Sequence, residues 1–293
     1  MVKYECCRYI NSQIQRLSII FEFVFIKKNG RIKLKILVCN DDGIDSVGIF
    51  ELVNELKKTA EVTVVAPLKE QSAVGHGITM QLPLRVINYY KNGNFFGYAV
   101  DGTPADCVKI GIRNIMKESP DLVISGINHG SNTAINIIYS GTVSADREAA
   151  IMDVPAIAIS VTNHTAKQFG FAAKVAQMLT QEIANRGLPK GTLLNVNVPD
   201  LPEEEISGML LTKQGKSKWD DIYEQRKDPY GRDYYWLTGN LMEIDIELDT
   251  DQAAVKNKYV SVTPIHFDLT DYDTYSRMKE WKLEELLNAK QKK

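Results

Sequence analysis

The apolar residues of this chain fall into short continuous runs, separated by longer segments with helical periodicity. Residues 34–39 and 61–67 form two such runs, whose length and branched side chains predict buried strands. Between them, apolar residues recur every three or four positions at 49–56, which predicts a helix with Asp45 or Ser46 as its N-cap. A strand, a helix and a strand of these lengths predict a βαβ unit with a right-handed crossover.

The same alternation continues along the chain to about residue 199. Further strands are predicted at 84–90, 95–100, 121–126, 156–161 and 193–198, and further helices at 103–116, 143–152, 166–184 and 276–287. The turn Asn92-Gly93-Asn94 predicts that the first two of these strands form a hairpin. The alternation predicts the α/β fold class, with a mainly parallel sheet and helices on both faces.

The character of the sequence changes after Pro199. Residues 200–275 are polar and charged, with short strand-like pieces and the aromatic residues Trp219, Tyr223, Tyr230, Tyr234, Tyr235 and Trp236. This composition favours either a projecting hairpin that packs on another surface, such as a second subunit, or an antiparallel lobe packed on its own domain. We therefore predict an N-terminal extension at 1–32, a catalytic domain at 33–199, and a C-terminal arm with a terminal helix at 200–293.

Charge and cysteine content exclude several classes of function. Lys and Arg number 35 against 37 Asp and Glu, and no basic run is interleaved with aromatics, so a nucleic-acid polymer is not expected as a partner. Cys39 and Cys107 lie in buried patterns without Cys-x-x-Cys spacing, so we expect a reducing compartment, the cytoplasm. The apolar stretch at 19–26 is interrupted by Glu22 and is too short to span a bilayer, so no membrane partner is expected.

The segment Asn40-Asp41-Asp42-Gly43 carries the strongest chemical signal, because two carboxylates stand where a buried strand ends. At an effective dielectric constant near 20, two unit charges about 4 Å apart repel each other by roughly 4 kcal/mol. A divalent cation relieves this repulsion and keeps both groups ionised. Open α/β sheets also bind ligands beyond the carboxyl ends of their strands. We interpret the pair as a metal site and active site, against the alternative of a hydrogen-bonded Asx turn.

Two further strand ends offer oxygen atoms to the same edge of the sheet. Ser72 follows the second strand, and its hydroxyl suits a hard cation or a phosphate, although a serine in a flexible loop is the simpler interpretation. Asn128 follows the strand at 121–126 and could ligate a metal, or it could simply form a turn beside glycine. His129 is a possible proton donor to a leaving group, but a lone loop histidine is more often structural.

Ser140-Gly141-Thr142 immediately precedes a predicted helix. Free N–H groups at a helix start, with two hydroxyls and a glycine that permits close approach, suit an anion such as phosphate. The alternative is an ordinary N-cap. Gly102-Thr103-Pro104 opens another helix in the same way, and we assign it to shaping the pocket. Oxygen donors without His or Cys clusters favour Mg²⁺ or Mn²⁺ over zinc.

Several of these segments together resemble the SurE (survival protein E) nucleotidases, metal-dependent phosphatases of nucleoside monophosphates. The stretches that carry the resemblance are 36–43, 66–72, 102–107, 125–128, 139–142, 195–199 and 259–264. The likeness extends from about residue 33 to about residue 280. Ala73 stands where many members have glycine, and nothing can be carried over to residues 1–32.

The resemblance implies a set of functional residues. Asp41, Asp42, Ser72 and Asn128 would be the metal ligands, and Gly43 with Ser140-Gly141-Thr142 would surround the phosphate. It also implies one divalent cation per subunit, a Rossmann-like domain, and a C-terminal arm exchanged between the subunits of a homodimer or homotetramer.

The leading functional hypothesis is a divalent-metal-dependent phosphomonoesterase, a 5'-nucleotidase that converts nucleoside monophosphates to nucleoside and phosphate. Asp41 or Asp42 would position or deprotonate the attacking water, and a phospho-aspartate is the less favoured variant. A dinucleotide-dependent oxidoreductase is an alternative, weakened because Gly-x-Gly-x-x-Gly is missing after the first strand. A non-catalytic module that responds to metal or nucleotide is the third possibility.

Overall fold

A computed structural model describes residues 33–285 of the chain; the predicted extension 1–32 and residues 286–293 lie outside this range. The strands are β1 Lys35–Cys39, β2 Glu61–Pro67, β3 Val86–Lys91, β4 Asn94–Val100, β5 Leu122–His129, β6 Ala156–Val161, β7 Thr192–Val198, β8 Gly208–Leu211, β9 Lys218–Lys227, β10 Asp233–Met242 and β11 Tyr259–His266. The α-helices are α1 Val47–Leu56, α2 Pro104–Ile110, α3 Asn136–Tyr139, α4 Gly141–Ile151, α5 Gly170–Arg186, α6 Asp251–Lys256 and α7 Tyr272–Met278.

Within the described range, nine strands form one sheet in the order β3-β4-β2-β1-β5-β6-β7-β11-β8. The six strands from β4 to β7 pair in parallel, whereas β3 and β11 run antiparallel to their neighbours β4 and β7. After β1 the chain adds β2 on one side and later β5 on the other. The crevice between the carboxyl ends of β1 and β5 is therefore the topological switch point, where open α/β sheets bind ligands.

The central strand β1 is buried on both of its faces. Residues 36–39 are all fully buried, which requires helices above and below the sheet. Helix α1 packs with α5, and α2 packs with α4. The side chain of Ser46 accepts a hydrogen bond from the Ile49 N–H, so Ser46 is the N-cap of α1. The predicted α/β class with a mainly parallel sheet is confirmed.

Several predicted boundaries are shifted, each for a local reason. Strand β5 does not end at residue 126 but continues to His129, because its ladder with β6 resumes at Asn128 after an irregularity. Helix α5 begins at Gly170 rather than 166, because the Asn163 side chain accepts the Thr165 N–H and holds a turn there. The predicted helix 103–116 is α-helical only to residue 110 and continues as a π-helical turn.

The region after residue 199 contributes to two different sheets. Strand β11 joins the large sheet beside β7, and β8 forms its edge. Strands β9 and β10 pair only with each other, and every residue of β9 is exposed. The hairpin expected in this region is therefore present. Helix α7 begins at Tyr272, where the Asp271 side chain accepts the Thr274 N–H as an N-cap, and the predicted helix end at 287 lies outside the described residues.

Two further expectations concern cysteines and membranes. Cys39 and Cys107 are buried free thiols, as their positions in apolar patterns predicted. Among residues 33–285, no helix combines the length and the apolar character needed to cross a bilayer.

Candidate active site

Asp41 lies at the end of β1 and has only 5% of its surface exposed. Its carboxylate accepts a hydrogen bond of 2.5 Å from the Thr142 hydroxyl, and its backbone carbonyl accepts the Gln71 N–H at 2.8 Å. Burial raises the pKa of Asp41 to about 6; the Thr142 hydrogen bond opposes this shift, and the charge of Asp42 adds to it. The environment thus disfavours the ionised form unless a cation is present.

Asp42 is half-buried and contacts a different strand end. Its Oδ2 atom lies 3.1 Å from the His129 Nδ1 atom and 3.4 Å from the His129 backbone nitrogen. The His129 ring in turn packs edge-on against the buried ring of Phe169, with 4.8 Å between centroids. The two aspartates therefore have separate partners, Asp41 on the side of α4 and Asp42 on the side of α5.

Asn128 lies on β5 next to His129 and is buried. Its side-chain amide nitrogen donates to the Gly130 carbonyl at 2.9 Å. This hydrogen bond fixes the side chain and leaves its carbonyl oxygen as the atom that can bind a cation. Asn128 as a metal ligand stays a prediction.

Ser72 lies in the loop after β2 but is not bonded to either aspartate. Its hydroxyl donates to the Glu70 carboxylate at 2.6 Å, and the residue is exposed. The loop itself is held at the site, because the Gln71 N–H binds the Asp41 carbonyl and the Gly75 N–H binds the Tyr139 carbonyl. Ser72 as a ligand stays a prediction, and Glu70 is a neighbour that the sequence pattern did not identify.

Ser140 is the N-cap of α4, and its side chain accepts the Val143 N–H at 3.0 Å. The Ser144 N–H binds the Ser140 carbonyl, and the Thr142 backbone N–H is directed at the Asp41 carboxylate, which leaves the Gly141 N–H as a donor for an anion. A Cβ atom on Gly141 would lie 2.7 Å from the Asp41 Cβ and 3.1 Å from the Gln71 carbonyl oxygen. Only glycine permits this approach between the helix start and the carboxylate.

Gly43 closes the turn that carries the two aspartates. Its φ angle of +93° is one that other residues rarely adopt, and its carbonyl accepts hydrogen bonds from the Asn40 side chain and the Ser46 N–H. A contact between Gly43 and a phosphate stays a prediction.

The donor set fits a hard divalent cation. Across the described part of the chain, no group of three or more His, Cys, Asp or Glu side chains could hold a metal. The candidate set instead combines two carboxylates with hydroxyl and amide oxygens, a chemistry suited to Mg²⁺ or Mn²⁺. Among the described residues, the contact between Asp42 and His129 is the only ion pair that involves either aspartate. A divalent cation bound to these oxygen atoms would balance the charge of the acidic pair.

A second group of charged and polar side chains, centred on Glu148, was not identified from the sequence. The buried Glu148 carboxylate binds His76 at 3.0 Å and Lys109 at 2.6 Å. Burial acts to raise the pKa of Glu148, but the hydrogen bonds from His76 and Lys109 lower it overall. These contacts tie the loop after Ser72 to α4 and α2. No short-range pattern signals them, because they join three separate elements.

The helix start at Thr103 holds the same loop, consistent with its predicted role in shaping the pocket. Thr103 and Asp106 form a capping box at the start of α2. The Thr103 hydroxyl also donates to the Gly77 carbonyl at 2.7 Å, and the Asp106 carboxylate accepts the Thr79 N–H at 3.0 Å.

The fold is that of an α/β protein with a mainly parallel open sheet, and its acidic pair and the start of α4 lie at the switch point where such sheets bind ligands. A sequence model of the family described as Survival protein SurE matches residues 36–221. The chain belongs to the SurE family, which confirms the resemblance noted from the motifs.

The similarity to individual proteins covers most of the chain. The 5'-nucleotidase SurE of Chlorobaculum tepidum is 49% identical over 252 residues, which are 86% of this chain and 96% of that protein. The 5'-nucleotidase SurE of Syntrophobacter fumaroxidans is 47% identical over 85% of this chain and 100% of its own length. The crystal structure of the SurE protein from Aquifex aeolicus matches with a TM-score of 0.74, at 42% identity, over 85% of this chain and 99% of that chain.

Proposed function

We propose that this chain is a divalent-metal-dependent 5'-nucleotidase, which hydrolyses nucleoside monophosphates to nucleoside and inorganic phosphate. The observation that carries the proposal is the direct contact between Asp41 and the start of α4 through Thr142 and Gly141. This contact places the buried Asp41 carboxylate, which would bind a cation, beside the helix start that would bind a phosphate. The names of relatives at 44–49% identity support the same activity.

Asp41, Asp42, Ser72 and Asn128 would hold one divalent cation per subunit, with Mg²⁺ or Mn²⁺ as the best fit to their oxygen atoms. When bound, such a cation acts as a Lewis acid that stabilises charge on the phosphoryl oxygens. The family supports a divalent metal, and the choice of ion is our proposal.

Residues of the chain bind the phosphate, orient the attacking water and accept its proton. The start of α4, with the Gly141 N–H as its free donor, binds the phosphoryl oxygens and orients the substrate. One of the two aspartates orients the attacking water and accepts its proton. Direct attack by water is favoured over a phospho-aspartate, because both carboxylates are then available to the cation.

The exposed hairpin β9–β10 supports a role in assembly. Its exposed aromatic and aliphatic residues include Trp219, Ile222, Tyr223, Tyr230, Tyr234, Tyr235, Trp236 and Leu237. We propose that this arm packs against a second copy of the chain in a homodimer or homotetramer.

A phosphate-release screen tests the proposed function. Nucleoside 5'- and 3'-monophosphates are incubated with the purified protein under Mg²⁺, Mn²⁺ and Co²⁺, with EDTA as the control. We expect metal-dependent release from nucleoside 5'-monophosphates and its loss in Asp41→Asn, which keeps the shape of the side chain. Absence of release under every ion would refute the proposal, as would full activity of the folded variant.

The stereochemical course at phosphorus, followed with a chiral thiophosphate substrate in ¹⁸O-water, tests the route of hydrolysis. We expect inversion, which a single direct attack by water gives. Retention would instead demonstrate a phospho-aspartate intermediate, because two successive displacements restore the configuration.

A further inference from the structure

The short segment of residues 70–72 lies beside both halves of the candidate active site. The Gln71 N–H donates to the Asp41 carbonyl at 2.8 Å. A Cβ atom on Gly43 would lie 3.4 Å from the first backbone nitrogen of the segment, and one on Gly141 would lie 3.1 Å from the Gln71 carbonyl oxygen. The segment is therefore close to the turn that carries the acidic pair and to the start of α4.

Within this segment, the Ser72 hydroxyl donates to the Glu70 carboxylate across 2.6 Å. A serine hydroxyl has one hydrogen to donate and two lone pairs on its oxygen. A cation binds such an oxygen through a lone pair, so the hydrogen of a ligating serine needs an acceptor elsewhere. Glu70 supplies this acceptor, and the lone pairs of the Ser72 oxygen are what the residue can offer to a cation.

Asn128, the other neutral residue of the predicted ligand set, has the same arrangement. Its side-chain nitrogen donates to the Gly130 carbonyl at 2.9 Å, which leaves the side-chain oxygen for a cation. In both residues an acceptor of the chain binds the donor group, and oxygen lone pairs remain. Partners of this kind orient metal ligands, and their removal typically lowers metal affinity by about 10- to 100-fold.

Glu70 is placed to act on Ser72 rather than on the cation itself. Across the described residues, no three His, Cys, Asp or Glu side chains are grouped so that they could hold a metal, so Glu70 does not join the acidic pair as a third carboxylate ligand. Its 2.6 Å hydrogen bond is instead with the hydroxyl of a predicted ligand. The effect of Glu70 on a cation should therefore depend on that hydroxyl.

We propose that Glu70 is a positioning residue, which accepts the Ser72 hydrogen and so directs the Ser72 oxygen towards the divalent cation. The inference rests on the proposed metal-dependent nucleotidase function and adds to it a residue outside the predicted ligand set. Glu70 contributes orientation of a neutral ligand, whereas Asp41 and Asp42 contribute the charge that binds the cation.

A double-mutant cycle on metal-free protein tests the proposal. Glu70→Ala removes the acceptor, and Glu70→Gln is the matched control that keeps an acceptor oxygen without the charge. Ser72→Ala removes the hydroxyl, and the double variant Glu70→Ala/Ser72→Ala completes the cycle. Both residues are exposed, so these replacements should leave the fold intact, which thermal unfolding establishes. Calorimetric titration with Mn²⁺ gives the affinity of each protein without turnover.

We expect Glu70→Ala to weaken Mn²⁺ binding by about tenfold, as the loss of a partner that orients a ligand typically does. Glu70→Gln should stay within about threefold of the wild type, because its amide oxygen can still accept the hydroxyl hydrogen. In the Ser72→Ala background, Glu70→Ala should change the affinity by less than about twofold, because the group on which it acts is absent.

The possible outcomes separate this proposal from the function on which it rests. Unchanged Mn²⁺ affinity in Glu70→Ala, an equal loss in Glu70→Gln, or a loss that persists in the Ser72→Ala background would each overturn the role of Glu70. The nucleotidase function would stand in all three cases if the wild type releases phosphate from AMP. A wild type that gives the expected cycle but releases no phosphate would overturn the nucleotidase function alone.

Discussion

The Thr142 hydroxyl donates to the buried carboxylate of Asp41 across 2.5 Å, although 101 positions separate the two residues in the sequence. This hydrogen bond joins the end of β1 to the first turn of α4. It places the predicted metal ligand Asp41 and the predicted phosphate residue Thr142 in direct contact. The two halves of the candidate site therefore depend on each other, and changes in one should affect the other.

Removing the Thr142 hydroxyl should reduce turnover strongly. A hydrogen bond to a charged group contributes about 1.5–3 kcal/mol, and RT ln 10 is about 1.4 kcal/mol, so Thr142→Val should lower kcat/KM by about 10- to 100-fold. Thr142→Ser keeps the donor and should stay within a few-fold of the wild type. Phosphate release from AMP measures both. If Thr142→Val were as active as Thr142→Ser, the hydroxyl would contribute nothing to turnover.

Gly141→Ala should displace Asp41 and impair metal binding. The added Cβ would approach the Asp41 side chain to 2.7 Å and the Gln71 carbonyl to 3.1 Å, so the carboxylate must move. Gly170→Ala is a matched control, because Gly170 is also the first residue of a helix but a Cβ atom added to it would meet no heavy atom within 4 Å. Calorimetric titration with Mn²⁺ should show at least tenfold weaker binding only in Gly141→Ala. Unchanged affinity would remove Asp41 from the proposed ligand set.

His129 should position Asp42 for the cation. Its Nδ1 atom lies 3.1 Å from the Asp42 carboxylate, and groups that hold metal ligands typically contribute 10- to 100-fold to metal affinity. His129→Phe keeps an aromatic ring against Phe169 but removes the nitrogen, and we expect Mn²⁺ affinity to fall by about tenfold. Phe169→Leu, which keeps the nitrogen and removes the ring contact, should have a smaller effect. The reverse order would show that packing, rather than the contact with Asp42, controls the site.

The meeting of Asp41 and Thr142 could be foreseen from the sequence, because the carboxyl ends of parallel strands share one edge of the sheet. The hydrogen bond between Ser72 and Glu70 could not, since it depends on how one loop folds back on itself. The contact of His76 with Glu148 requires that a loop and a distant helix pack together, and no periodic pattern reports such a contact.

The large sheet likewise has a part that the sequence pattern predicts and a part that it does not. Its parallel part follows from the alternation of apolar runs and helical segments. The addition of β8 and β11 at one edge does not, because β11 pairs with β7 and β8, which lie far from it in the chain. Local pattern thus predicts the elements near the site, and long-range pairing completes the sheet.

Asp146 should destabilise the protein at neutral pH. It lies on α4, is fully buried, and neither carboxylate oxygen has a hydrogen-bond partner of ordinary geometry. Burial raises the pKa of Asp146 well above its usual value of 3.8, and the nearby backbone of Ser125 opposes the shift only in part. The folded protein therefore binds this proton more tightly than the unfolded chain. The resulting stabilisation is complete below pH 3.8 and is lost as the pH rises towards the folded pKa.

Asp146→Ala should accordingly raise the free energy of unfolding at pH 7 by about 1–3 kcal/mol, because it removes a buried polar group without a partner. The gain should shrink as the pH is lowered to about 4.5. Glu182→Ala, which removes a half-exposed carboxylate from α5, should change stability by less than about 1 kcal/mol at either pH. Urea unfolding of metal-free protein at both pH values measures these differences. A less stable Asp146→Ala at pH 7 would show that the carboxylate makes a stabilising contact in the core.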